Sequence, residues 1–170
     1  SIAENAGSSL TLTATLSVAT TADVTVSLGT SGTATEGTDY TDGSGNIDDI
    51  TISAGSTTGT VSFTPTDDSL YDAASNETAT IAISGVSGGG ASENGTQTVT
   101  ITITDNESAP TVTLATSATS IAENSASNLT LTATLSGATF QDVTVSISTS
   151  GTATEGTDYA TISDITISAG

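Results

Sequence analysis

"TQTVTITITDNE" occupies Thr96–Glu107. From Thr98 to Thr104, valine or isoleucine alternates with threonine, so one face is apolar and the other polar. Period-two alternation of β-branched residues is the pattern of a strand buried on one face. It recurs in "LTLTATLS" (Leu10–Ser17), "DVTVSLGT" (Asp23–Thr30), "IDDITIS" (Ile47–Ser53), "GTVSFTPT" (Gly59–Thr66) and "ETATIAIS" (Glu77–Ser84). Clusters of Gly, Ser, Asn and Asp lie between these runs and mark turns. No stretch carries a helical apolar period. The chain is therefore expected to be all-β, an antiparallel two-sheet sandwich. Its core would be rich in Val, Ile, Leu and Ala, with Tyr40, Phe63, Tyr71 and Tyr159 as the larger pieces.

The pattern is repeated. "SIAENAGSSLTLTATLS" at Ser1–Ser17 returns as "SIAENSASNLTLTATLS" at Ser120–Ser136, and "SGTATEGTDY" at Ser31–Tyr40 returns unchanged at Ser150–Tyr159. Residues 1–40 and 120–159 match at 32 of 40 positions without a gap. After a four-residue deletion, "DITISAG" at Asp49–Gly55 returns at Asp164–Gly170. A long near-identical period is the signature of a tandem array. The expected organisation is a module over residues 1–109 that lacks its first strand, then the N-terminal half of a second over 110–170. "PTVTLATSAT" before the second "SIAEN" has no counterpart before Ser1.

Charge limits the function. The chain has 19 acidic residues and no Lys, Arg or His, for a formal net charge of −19. No side-chain salt bridge is possible. Nothing basic is present to bind nucleic acid or an anionic membrane surface, so no nucleic-acid partner and no direct membrane insertion are expected. Ser and Thr are abundant, but no His, Cys or Lys is present to activate one as a nucleophile. A carboxylate pair could hydrolyse a glycosidic bond, but two Phe, three Tyr and no Trp make a poor sugar cleft. The chain reads as a non-enzyme. What remains is oxygen ligation. Calcium takes six to eight oxygens from carboxylates, carbonyls and water. Asp67, Asp68, Asp72 and Glu77 fall in one inter-strand segment, Asp105, Asn106 and Glu107 follow the last alternating run, and Glu4 and Asp39 lie in other loops. Like charges about 4 Å apart repel by roughly 1 kcal/mol in water and about 4 kcal/mol at an effective dielectric near 20. A divalent ion would reverse that sign. Solvated turn formers are the plain alternative for such loop acids, and Asp23, Glu36, Asp142 and Glu155 are read that way. Asp42, Asp48 and Asp49 could form a second, weak site.

"SIAEN", "GTATEGTDY", "ITISAG", "VSFTPTDDSLYDAASNET" and "VTITITDNE" together resemble a Calx-beta domain over essentially the whole chain. That family comprises the calcium-binding modules of sodium/calcium exchangers and many repeats of large bacterial surface proteins. The resemblance implies a seven-stranded Greek-key sandwich of immunoglobulin-like form, with calcium ligands at one end. It assigns ligand roles to Glu4 and, in the second copy, Glu123, and to Asp39 and Asp158. Asp67 and Asp68 match the acidic pair opening the long loop. Asp72 and Glu77 match two later glutamates, Asp72 being one carbon shorter and two extra residues lying between them. Asp105, Asn106 and Glu107 match the acidic tail, with Asn106 a departure. One to three Ca2+ ions per complete module are implied.

The expected function is a calcium-binding structural repeat of a large secreted or cell-surface protein, forming a calcium-stiffened stalk with neighbouring modules as partners. The alternative is an extracellular filament subunit joined by strand donation. A calcium sensor is a third class. Threonine ladders such as "TVTITIT" suit an ice-binding face, but the outward face of a sandwich accounts for them. The Asn-x-Ser/Thr matches are those expected by chance in so Ser/Thr-rich a chain.

Overall fold

A computed structural model describes residues 1–72 and 76–170. The strands in chain order are β1 (Ile2–Ala3), β2 (Leu10–Thr15), β3 (Val24–Gly32), β4 (Tyr40–Thr41), β5 (Ile50–Ile52), β6 (Thr58–Pro65), β7 (Asn76–Ser87), β8 (Thr98–Thr104), β9 (Val112–Thr116), β10 (Leu131–Leu135), β11 (Val143–Val145) and β12 (Ile165–Ile167). The alternating runs all became strands. The chain divides into two compact units, Ser1–Asp68 with Ala74–Asn106, and Ser69–Ala73 with Glu107–Gly170.

The first unit is a two-sheet sandwich. One sheet has the order β1-β8-β7-β3-β5 and the other β2-β6-β4. Every pair is antiparallel except β1 with β8, where Ile2 sits beside Ile103. The apolar faces meet in a continuous core. Ile2, Tyr40, Phe63, Ile81, Ile101 and Ile103 form one end of it. Val24, Val26, Ile50 and Ile52 form the other. Tyr40 and Phe63 stack with ring centroids 4.7 Å apart, one from β4 and one from β6. Aromatic residues are few here, so this pair supplies much of the core volume. Gly59 on β6 lets the sheets approach. A Cβ there would lie 2.5 Å from the Thr51 carbonyl on β5.

One irregularity in β3 proves structural. Its pairing with β7 shifts register between Ser27 and Leu28. A bulge leaves a backbone donor outside the ladder. The Leu28 N–H finds the Asp49 carboxylate at 3.0 Å, and the Ser27 hydroxyl donates to the same group at 2.8 Å. Asp49 immediately precedes β5, so the carboxylate also ties β5 to β3.

The second unit holds two antiparallel pairs, β9 with β10 and β11 with β12. Val143 opposes Ile167 as Val24 opposes Ile52. The four-residue deletion is thus absorbed in the connecting loop without shifting the strand register. Asp164 accepts from the Ile147 N–H at 2.9 Å, as Asp49 does from Leu28. Tyr71 bridges Thr139, donating its N–H to the Ala138 carbonyl and accepting from the Phe140 N–H. Among the described residues no strand covers this unit as β6, β7 and β8 cover the first. Val112, Leu114, Ile121, Leu129 and Phe140 are exposed.

Candidate metal centre

Glu4 follows β1, whose pairing with β8 continues through the Glu4 N–H to the Thr104 carbonyl at 3.1 Å. That bond sets the Glu4 side chain beside the acidic tail, and Glu4 Oε1 accepts from the Asn106 N–H at 3.2 Å. Asp67 lies two residues beyond the end of β6. Carboxylate oxygens of Glu4 and Asp67 come within 4.8 Å of one another. Glu4 is half-buried and Asp67 exposed. They line an open depression with Asn5, Ser8, Ser9 and Thr64. Oxygens bound to one calcium at 2.3–2.6 Å lie at most about 5 Å apart. The pair therefore fits a shared ion. With no basic side chain in the chain, the cation must come from solution.

Asp39 turns its carboxylate into its own loop, where Oδ2 accepts from the Thr35 N–H at 2.5 Å. Asp158 makes the equivalent bond to Thr154 at 2.7 Å. Asp68 is exposed beside Asp67, and Asp105 is half-buried just after β8. Glu77 is not a loop residue. It stands in β7 opposite Ile103, because pairing with β8 extends the strand back to Asn76. Asp72 belongs with the second unit. Glu107 opens the main stretch of the second unit and is half-buried. Glu123 sits exposed in a turn.

The Calx-beta domain profile matches residues 1–107 and 105–166. The chain belongs to the Calx-beta family. Calx-beta domains are calcium-binding, non-catalytic β-sandwich repeats found in extracellular or membrane-associated proteins. A crystal structure of CBD12 from CALX1.2 is similar at 21% identity and a TM-score of 0.48, over 61% of this chain. This chain spans 40% of that structure's length. No curated protein matches in sequence. No helix among the described residues is long and apolar enough to cross a membrane.

Several acids read from sequence as solvated are instead brackets of this Calx-beta fold. Glu36 accepts from the Ile47 N–H at 2.7 Å and from the Thr30 hydroxyl at 2.9 Å. Glu155 repeats both bonds, to Ile162 at 2.7 Å and Thr149 at 2.9 Å. Asp23 accepts from the Ala54 N–H at 2.8 Å, and Asp142 from Ala169 at 2.9 Å. Each bridges a loop or strand start to backbone many residues away. Their recurrence at fixed positions in both copies was the available signal. Asp42, read as part of a weak second site, folds onto its own turn. Its carboxyl is held below the usual range first by the Ser44 N–H, then by the Ser44 hydroxyl. Burial pushes the Tyr40 hydroxyl above its ordinary value, aided by nearby Glu36 and Asp39, while a hydrogen bond with Thr30 pulls the other way.

Proposed function

We propose that the chain is a calcium-binding structural repeat of a large secreted or cell-surface protein, working as a stiff spacer between its neighbours. The observation that supports this most is the Glu4–Asp67 pair, two carboxylates within 4.8 Å in a chain with no basic side chain. The Asn106 backbone N–H donates to Glu4 Oε1. In this reading the ion is held by Glu4, Asp67 and the tail, with Asp68 as a further oxygen donor. Asp39 and Asp158 act mainly as loop brackets. Asp72, Glu77 and Glu123 add negative potential or bind only when neighbouring modules are in place. The count stays at one to three Ca2+ per complete module.

Calcium here replaces repulsion with attraction at the point where the chain leaves β8. Fixing that exit would stiffen the junction between modules. The high like charge of successive modules resists collapse and association. Both suit a stalk whose function is length rather than a unique surface.

Calorimetry and thermal unfolding with calcium and with chelator test the reading. At a hundredfold excess over its dissociation constant, each ion should stabilise the folded chain by about 2.7 kcal/mol. Glu4→Gln with Asp67→Asn should remove most of that shift, whereas Glu93→Gln, in the loop before β8, should leave it intact. No calcium heat and no change in melting would discard the metal role.

A further inference from the structure

We propose that Asn94 is a site of self-modification, losing its side-chain amide as ammonia to become aspartate or isoaspartate in the folded chain. The chain has seven asparagines, and only Asn94 is followed by glycine. The reaction needs the peptide nitrogen of the next residue to reach the side-chain carbonyl carbon. That nitrogen must not be held by an acceptor elsewhere, and a five-membered ring must have room to close.

The loop between β7 and β8 meets each need. Asn94 and Gly95 are both exposed. Among the described residues, neither the Asn94 side-chain amide nor the Gly95 N–H has a hydrogen-bond partner. Gly95 sits at φ 67°, a conformation that glycine adopts without steric cost. A Cβ there would meet nothing within 4 Å, so the ring closes into open space. Other asparagines are held differently. After Asn46, the Ile47 N–H donates to Glu36 at 2.7 Å. After Asn5, the Ala6 N–H donates to the Ala3 carbonyl at 3.1 Å, and after Asn124 the Ser125 N–H donates to the Ala122 carbonyl at 2.9 Å. Asn76, Asn106 and Asn128 precede Glu77, Glu107 and Leu129, whose side chains crowd the attacking nitrogen.

Asp42–Gly43 is the contrast within the same unit. An aspartate reaches the same cyclic imide only as the neutral acid, because a carboxylate offers no leaving group. Asp42 Oδ1 accepts from the Ser44 N–H at 2.7 Å, the Ser44 hydroxyl at 2.8 Å and the Gly45 N–H at 3.0 Å. These bonds favour the ionised form. The Gly43 N–H donates to Thr41 Oγ1 at 3.1 Å. That turn withholds both reactants, while the Asn94 loop presents both.

In the first step the Gly95 nitrogen bonds to Asn94 Cγ. The Cγ–Nδ2 bond breaks, and the amide leaves as ammonia with the proton given up by the N–H. Water then opens the imide. Cleaving the new bond gives aspartate. Cleaving the original peptide bond gives isoaspartate, whose main chain runs through Cβ and Cγ and is one carbon longer. Either product takes the formal charge from −19 to −20. The Asn94 carbonyl accepts from Gln97 Nε2 at 2.7 Å, and the Gln97 carbonyl accepts from the Ile83 N–H at 3.1 Å. In isoaspartate the first of those carbonyls becomes a free carboxylate, so the clamp on Gln97 and the end of the β7–β8 ladder loosens. Glu4 meets the other end of β8, at Thr104, so this inference is independent of the calcium reading.

The test is incubation of the intact chain at mildly alkaline pH, read by peptide mapping with tandem mass spectra that distinguish isoaspartate. Asn94 should convert about tenfold faster than any other asparagine, and Gly95→Ala should slow it by about tenfold. Asp42 should stay intact in the folded chain and isomerise once the chain is unfolded in urea. Hydrogen exchange at Ile83 should quicken in the isoaspartate product but not in a freshly prepared Asn94→Asp chain, which gains the charge without the longer backbone. An Asn94 that stays unconverted, or that converts no faster than the other asparagines, would overturn the site. Asp42 isomerising equally in folded and unfolded chains would overturn the protection assigned to its turn. Unchanged exchange at Ile83 in the isoaspartate product would overturn the loosened ladder.

Discussion

Tyr40 and Tyr159 end the same ten residues, yet Tyr40 is 1% exposed and stacks on Phe63 while Tyr159 is half-buried. Gly32 and Gly151 share a φ of 128°. A Cβ on Gly32 would lie 2.0 Å from the Thr78 carbonyl, whereas one on Gly151 would meet nothing within 4 Å. The loop between them is nevertheless built by the same bonds, from Glu36 and Asp39 in one copy and Glu155 and Asp158 in the other. Identical sequence therefore carries its local hydrogen bonds into two settings and leaves burial to whatever lies across the core. The carboxylates that look like surplus surface charge hold that local structure.

The sharpest way to break this comparison is to remove the aromatic ring. Tyr40→Ala should cost about 3–5 kcal/mol, as large aromatic truncations in cores do. Tyr159→Ala should cost about 1 kcal/mol or less. Urea unfolding of each variant measures the difference, and equal losses would show that the second copy is packed as well as the first. The glycines come next. Gly151→Ala carries only the strain of its backbone conformation, about 1–3 kcal/mol. Gly32→Ala adds a backbone collision and should cost about 2 kcal/mol more. The same unfolding curves decide it.

The glutamates sharpen the comparison in the other direction. Glu36→Ala leaves the Ile47 N–H and the Thr30 hydroxyl without their acceptor, a loss of about 1–3 kcal/mol. Glu155→Ala should cost a similar amount, because its bonds are the same. Hydrogen exchange at Ile47 and Ile162 reports each loop directly. A large effect in the first copy with none in the second would mean that the sandwich, not the loop, fixes the conformation. The smallest effect is alkaline. Folding raises the Tyr40 pKa above 10.0, chiefly through burial. The unfolded chain then releases its proton first as pH rises. The stability from this group is complete below pH 10 and is lost as pH climbs toward the folded value. Melting temperature against pH should show that decline, and Tyr40→Phe should flatten it.

Strands such as Leu10–Thr15 and Thr98–Thr104 were legible because a period of two needs no knowledge of partners. Glu4 and Asp67 were legible as ligand candidates because the composition leaves carboxylates no protein cation. The roles of Glu36, Asp49 and Asp23 were not. Each accepts from backbone 11 to 31 residues away, and a charge in a loop looks the same whether water or a distant N–H satisfies it. Glu77 was read both in the acidic segment and at the start of the run "ETATIAIS", and the pairing of β7 with β8 puts it in the strand.

The sequence by itself determined the strand pattern, the repeat, the exclusion of ion pairs and the excess of oxygen ligands, all properties of local composition and spacing. Only the tertiary structure decided which carboxylates meet and which brace the backbone. Those depend on pairings between residues up to 102 apart in the chain. No local pattern encodes the partner in such a pairing. It is selected when the two apolar faces close on one core and every buried backbone group must find a bond.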